Sequence, residues 1–241
     1  MSKTILITGA SGAIGGMVAY KAALKKYNII MQYRTNEKAA RELGEQLAAF
    51  GVKVKCVQAD ITKAEDRERL VSEARAFGGV DVLVNNAGAA LYGMFDEHSQ
   101  AEIERVITTD LTAQMLLTQA VLADMYAKRE GSIVNISSVW GQTGAAGEVV
   151  YSAAKAGLIG FTKALAKEAA GGGVRVNCVA PGCVKSAMTA HFTEKEIADI
   201  CDGIPLGRFG DALEIAESVL FIAQQSYTTG QVFSPNGGMY I

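Results

Sequence analysis

Short apolar runs alternate with longer amphipathic or alanine-rich stretches along the chain. Thr4 to Thr8, TILIT, is rich in β-branched residues and predicts a buried parallel strand. It opens into GASGAIGG and a helical stretch to about Lys26. Asn28 to Tyr33, NIIMQY, predicts the second strand, followed by Arg34, Thr35 and Asn36 and a helix to about Phe50. Val52 to Val57 is a third strand, ending in Ala59-Asp60-Ile61, and a charged helix follows over about Lys63 to Phe77. Asp81 to Asn85 is the fourth strand, opening into Asn86-Ala87-Gly88. A long amphipathic helix spans roughly Gln100 to Lys128, with a bend expected near Asp110. Ser132 to Ser137 is the fifth strand and delivers Ser138 at its carboxyl end. A helix carrying Tyr151 and Lys155 runs to about Ala170, and Val174 to Val179 is the sixth strand, ending at Pro181-Gly182. Cys183 to Ile204 has few packing signals and is expected to be a mobile lid. A helix over about Ala212 to Gln224 leads to a last strand near Gln231 to Ser234.

Strands alternating with helices at this spacing predict an α/β fold: a Rossmann-like, doubly wound parallel sheet with helices on both faces and ligand at the carboxyl ends of the strands. No repeat, linker or low-complexity tract divides residues 1–241, so one domain is expected.

Composition narrows the class. The net charge of −2 gives no reason to expect nucleic acid or an anionic membrane as partner. Cys56, Cys178, Cys183 and Cys201 form no C-x-x-C pair, and His98 and His191 are far apart, so no metal site is expected. Free thiols point to a reducing cytoplasm. The start, MSKTILITGASG, enters a strand directly and does not read as a signal peptide. No apolar run approaches the ~20 residues that span a bilayer.

The chemistry concentrates between Ser138 and Lys155, SVWGQTGAAGEVVYSAAK. Tyr151 and Lys155 lie one helical turn apart on one face. Such pairs are common on solvated helix faces, but here a glycine-rich loop can fold Ser138 back toward them. A hydroxyl, a phenol and an ammonium then converge, a set suited to delivering a proton to a carbonyl oxygen. A free phenol has a pKa of about 10, and a neighbouring cation is expected to lower it. Ser138 can hydrogen-bond the oxygen that becomes an alkoxide.

The glycine-rich turn supplies the second half of the picture. Strand, turn and helix together form the setting of a dinucleotide site, with glycines at 9, 12 and 15 admitting the pyrophosphate to backbone N–H groups. No carboxylate ends the second strand, where one would bond the ribose of NAD. Arg34 stands there instead and can pair with a 2′-phosphate, which favours NADPH over NADH.

TGASGAIG (Thr8–Gly15), Asp60, NNAG (Asn85–Gly88), ISS (Ile136–Ser138), YSAAK (Tyr151–Lys155), APG (Ala180–Gly182), IPLGRFG (Ile204–Gly210) and TGQV with NGGM near the end occur in this order. Over essentially its whole length the chain resembles a short-chain dehydrogenase/reductase, of the branch containing the 3-oxoacyl-acyl carrier protein reductases of fatty acid biosynthesis. The resemblance implies that Tyr151 is the proton donor, that Lys155 holds the nicotinamide ribose, and that Ser138 orients the carbonyl. It implies cofactor contacts at Gly9, Ser11, Gly12, Ile14, Gly15 and Arg34, at Asp60 and Ile61 for adenine, and at Asn86, Ala87 and Gly88. Pro181, Gly182 and Val184 would border the nicotinamide, with Ser186 where the family usually has a Thr bonding the carboxamide. The family is usually a homotetramer.

Three departures stand out. The middle glycine of the family's turn is Ala13 here, with Gly12 one place earlier, where many NADPH enzymes carry a basic residue. The family's catalytic Asn is replaced by Asp110, read either as a charged partner of Lys155 or as support for a helix bend. Of the two basic residues often presented to the acidic carrier, Arg129 matches one, but the other position is Gly172.

These features imply an NADPH-dependent carbonyl reductase acting on 3-oxoacyl thioesters, the ketone free or carrier-bound. The segment with Trp140 and Glu148 also resembles reductases of a 5-aminopentanone modification on elongation factor P, where Glu148 would meet an ammonium. A non-catalytic nucleotide sensor on the same fold is the third reading.

Overall fold

The computed structural model describes residues 2–190 and 192–241, so His191 lies outside the described residues. Seven parallel strands form one sheet in the order β3-β2-β1-β4-β5-β6-β7. They are β1 (Thr4–Ile7), β2 (Asn28–Tyr33), β3 (Val54–Gln58), β4 (Val82–Asn85), β5 (Gly131–Ile136), β6 (Val174–Val179) and β7 (Val232–Phe233). The helices are α1 (Ala13–Leu24), α2 (Glu37–Ala48), α3 (Ala64–Ala76), α4 (Gln100–Ile107), α5 (Ala113–Lys128), α6 (Trp140–Thr143), α7 (Val149–Ala169), α8 (Glu194–Asp202) and α9 (Ala212–Gln224).

Alternation along the strands builds two cores. Ile5, Ile7, Ile29 and Met31 point to one face, where Val18 and Ala22 of α1 meet Ile215 and Val219 of α9. Leu6, Ile30, Leu83 and Ile133 point to the other, under Leu70 of α3, Leu117 and Val121 of α5, and Ala166 of α7. Strands buried on both faces must be apolar throughout, which is why the runs read as continuous rather than alternating.

The long helix expected over Gln100 to Lys128 is α4 and α5 joined by a π turn at Thr108–Thr112, so the irregularity falls on Asp110. By length and composition this 29-residue stretch is long and apolar enough to cross a bilayer, a property that the core helices of soluble proteins share. Here it packs Leu117, Val121 and Met125 against the sheet and encloses the buried Asp110.

The segment 183–204 holds more structure than its sequence suggests. Val184 bridges Gly210, and α8 begins at a reciprocal capping box between Thr193 and Glu196. The signal T-x-x-E was present, but α8 has no buried residue, so hydrophobic patterning alone left it unread.

Candidate active site

Gly9 turns the chain out of β1 in the left-handed region, at φ +64°. A Cβ on Gly15 would lie 2.5 Å from Gly9 O and 2.9 Å from Ala10 Cα, so only glycine lets α1 start this close to the turn. Gly12 precedes α1 with no side-chain cap, and no acid occupies the first turn. The N–H groups there remain available to an anion, favoured by the helix dipole. The turn is tied to the loop after β4: the Asn86 amide donates to Thr8 O (2.8 Å) and Gly9 O (3.2 Å), and Thr8 Oγ1 accepts the N–H of Asn86 and Ala87. This uncapped turn, with glycine at 9, 12 and 15, fits a dinucleotide pyrophosphate.

Asp60 follows β3 and accepts from the hydroxyl (2.7 Å) and N–H (3.0 Å) of Thr62. Burial works to raise its carboxyl, but those bonds and the positive charges of Arg34 and Lys63 hold it below the usual carboxylate range. Arg34 is exposed on the same rim, with no acid at the end of β2.

The reactive group sits at the carboxyl end of β5. Ser138 is buried beside the Tyr151 phenol, and its Oγ accepts the Trp140 N–H at 3.2 Å. Lys155 Nζ lies 5.5 Å from the Tyr151 ring centroid, donates to Ile136 O at 3.0 Å, and forms an ion pair with Asp110 Oδ2 at 3.1 Å. The other Asp110 oxygen accepts the Ala89 N–H at 2.7 Å. Asp110 therefore lies in the π turn and is at the same time the charged partner of Lys155.

The expected acidification of the phenol does not hold for the protein alone. Burial raises the Tyr151 pKa and outweighs the pull of Lys155 and the Ser138 hydrogen bond, while the Asp110 and Glu148 charges add to the rise. The phenol stays protonated, the form that can give a proton away. Burial disfavours the Lys155 ammonium, but the Asp110 carboxylate and the Tyr151 oxygen together outweigh it and hold the pKa above the ordinary lysine value. Burial also pushes Asp110 above the usual carboxylate range, against the pull of Lys155 and the Ala89 N–H.

One cleft of about 1120 Å³ connects these parts. Gly9, Ser11, Gly12, Ile14, Arg34, Asp60, Ile61, Asn86, Ala87, Gly88, Ser138, Tyr151, Lys155, Pro181, Gly182, Val184 and Ser186 all line it. Gly15 and Asp110 do not; they stand behind the lining. Ser186 Oγ accepts the Met188 N–H at 3.2 Å, so its hydroxyl is engaged in its own turn. Gln32, Thr35 and Thr109 line the cleft without having been singled out. Gln32 alone carried a sequence signal, a polar residue in an apolar strand.

Tyr92, Trp140, Glu148, Phe192, Glu196 and Asp199 also line the cleft. Burial, reinforced by the Glu148 charge, pushes the Tyr92 phenol up to about 12. Glu148 thus bears on Tyr92 and Tyr151 together. Far from the cleft, a Cβ on Gly172 would lie 2.3 Å from Tyr126 Cδ1, so the Tyr126 ring fills the space a side chain would need. The Arg129 guanidinium donates to Gly171 O at 3.2 Å.

The family model described as short chain dehydrogenase matches residues 3–197. The chain is 40% identical over 243 residues to the uncharacterized oxidoreductase YmfI of Bacillus subtilis, covering 100% of both chains. It is 42% identical over 241 residues to the 3-oxoacyl-[acyl-carrier-protein] reductase FabG of Aquifex aeolicus, covering 99% of this chain and 97% of that one. A crystal structure of a variant of actinorhodin polyketide ketoreductase with NADPH superposes with a TM-score of 0.94 at 32% identity, covering 99% of this chain and 97% of that one.

Proposed function

The chain belongs to the short-chain dehydrogenase family and is an oxidoreductase, and from that premise we propose that it is an NADPH-dependent carbonyl reductase. The observation that carries this reading is the convergence of Ser138, Tyr151 and Lys155 on one cleft that also holds the glycine turn. A reduced nicotinamide held in this cleft would supply the hydride that a carbonyl carbon takes up. Ser138 hydrogen-bonds the carbonyl oxygen and stabilises the charge that develops there. Tyr151 donates its phenolic proton to that oxygen. Lys155, held charged by Asp110, stabilises the phenolate left behind. Gly9 to Gly15, with Asn86 to Gly88, would hold the pyrophosphate side, Asp60 and Ile61 the adenine, and Arg34 a 2′-phosphate. Pro181, Gly182, Val184 and Ser186 would border the nicotinamide. Tyr151→Phe should abolish ketone-dependent NADPH oxidation and leave NADPH binding measurable by calorimetry; near wild-type turnover would eliminate the mechanism.

The names of the curated relatives suggest 3-oxoacyl thioesters as substrates. With the Tyr126 ring filling the space beside Gly172, this chain lacks the second basic residue toward an acidic carrier, and the recognised part is the thioester and its chain. A second reading, reduction of the 5-aminopentanone group on elongation factor P, is supported by Glu148, whose charge bears on the Tyr151 phenol, and by Glu196 and Asp199, which line the same cleft. Anionic walls favour a ketone bearing an ammonium. Comparing acetoacetyl thioester with an amino ketone separates the two: Glu148→Gln should weaken turnover of the amino ketone alone, and indifference of both activities to that change counts against the role.

Residues 183–204 serve here as the substrate lid, with Phe192 and Ile200 facing the cleft. Exposed Met115 and Leu116 on α5, Val149 on α7, and Phe221 and Phe233 near the end of the chain support assembly as a homotetramer. Four free cysteines fit a cytoplasmic setting.

A further inference from the structure

Gln32 lies on β2, between β1 and β3, and is 2% exposed. Its strand neighbours Ile29, Ile30 and Met31 are fully buried and apolar. An apolar residue would fill the position without the desolvation that a buried amide incurs unless both its ends are bonded. Both ends are bonded here. Gln32 Oε1 accepts the Gly9 N–H at 2.8 Å, and Nε2 donates to Ala59 O at 2.6 Å. Gly9 opens the turn after β1; Ala59 immediately precedes Asp60 and Ile61 after β3. The side chain thus bridges two loops that β2 keeps apart, and it lines the cleft between them. The β2 backbone holds the same pair, accepting the Ala10 N–H at Gln32 O and the Ala59 N–H at Tyr33 O, each at 2.9 Å.

We propose that Gln32 is a positioning residue for cofactor: it fixes the separation of the pyrophosphate turn from the adenosine loop, so that a dinucleotide meets both in one preformed site. The inference rests on the reading of this cleft as an NADPH site. A site organised in advance loses less freedom on binding, so the brace acts on affinity. It touches neither Ser138, Tyr151 nor Lys155, so its loss falls on cofactor binding rather than on the proton transfer.

The test is calorimetric titration of NADPH, and of 2′,5′-ADP as the adenosine half alone, into the full chain with Gln32, Gln32→Met or Gln32→Glu. Methionine keeps the length and loses both bonds; glutamate keeps the acceptor for Gly9 and loses the donor to Ala59. The methionine variant should raise both Kd values on the order of tenfold. The NADPH KM should rise with them while kcat at saturating NADPH and the ketone KM hold. A Kd equal to wild type overturns the inference, as does a parallel fall in kcat and rise in ketone KM, which would mark general loosening. If circular dichroism shows the methionine variant unfolded, the glutamate variant decides by the same titrations: a raised Kd supports the brace and an unchanged one overturns it. Wild-type protein that binds neither NADPH nor NADH would overturn the cofactor reading along with it.

Discussion

Asp110 Oδ2 stands 3.1 Å from Lys155 Nζ, a buried ion pair behind the reactive phenol. Its charge helps hold the Tyr151 phenol above its ordinary range. Asp110→Asn should therefore move the Tyr151 limb of the kcat/KM profile to lower pH, and superimposable profiles would refute the coupling. Asp110→Ala leaves a buried ammonium without this counter-charge and should cost about 3–5 kcal/mol in denaturant unfolding.

Arg34 is an exposed cation lining the cleft on the side of Asp60. Arg34→Ala should raise the NADPH KM on the order of tenfold and leave the NADH KM nearly unchanged, since only the former carries the 2′-phosphate. Equal effects on both cofactors would remove Arg34 from cofactor choice.

Gly172 and Tyr126 share one space. Gly172→Arg should destabilise the protein by about 1–3 kcal/mol through overpacking. In a Tyr126→Ala background the same substitution should be nearly neutral, because the ring is gone. Thermal or urea unfolding of the four proteins closes the cycle, and additive costs would show that the two positions do not compete.

Glu214 caps α9 and pairs with Arg208 through two contacts, at 2.7 and 2.9 Å. The Arg208 hydrogen bond, then the Asp211 N–H, lowers its carboxyl from 4.5 to about 2. A depressed folded-state pKa contributes stability above the unfolded value and loses it as the pH falls. The Tm advantage of wild type over Glu214→Gln should be full at pH 6 and shrink as the pH drops from about 4.5 toward 2. Parallel Tm curves would refute it.

Much of this architecture was legible in residues alone. β2, β6 and α9 fall where the apolar runs placed them, because doubly buried strands and a one-sided helix leave strong periodic marks. Glycines 9, 12 and 15 announced the turn, and the spacing of Tyr151 and Lys155 announced their shared face. The direction of the Tyr151 shift was not legible. Spacing reports which cation is near, while burial depends on every segment folded over the ring. Gln32 escaped for a related reason: its partners, Gly9 and Ala59, are distant in sequence and meet it only when three strands align. α8 was missed because its inward stripe is short, only Ile197, Ile200 and Cys201, each half-buried rather than packed in a core.

The π turn at Thr108–Thr112 amounts to a regular helix with one surplus residue. Excising a single codon there would let the ladder relax to ordinary α-helix with the flanking helices still nearly in phase, and the residues of the turn would lose the placement that the surplus residue gives them. The Asp110 carboxylate would leave its ammonium, and Ala89 would lose its acceptor. The length of this helix is therefore a parameter of the site in its own right: a frame-preserving deletion within the turn, at a residue other than Asp110, would disarm the site while keeping every one of its polar side chains in the gene.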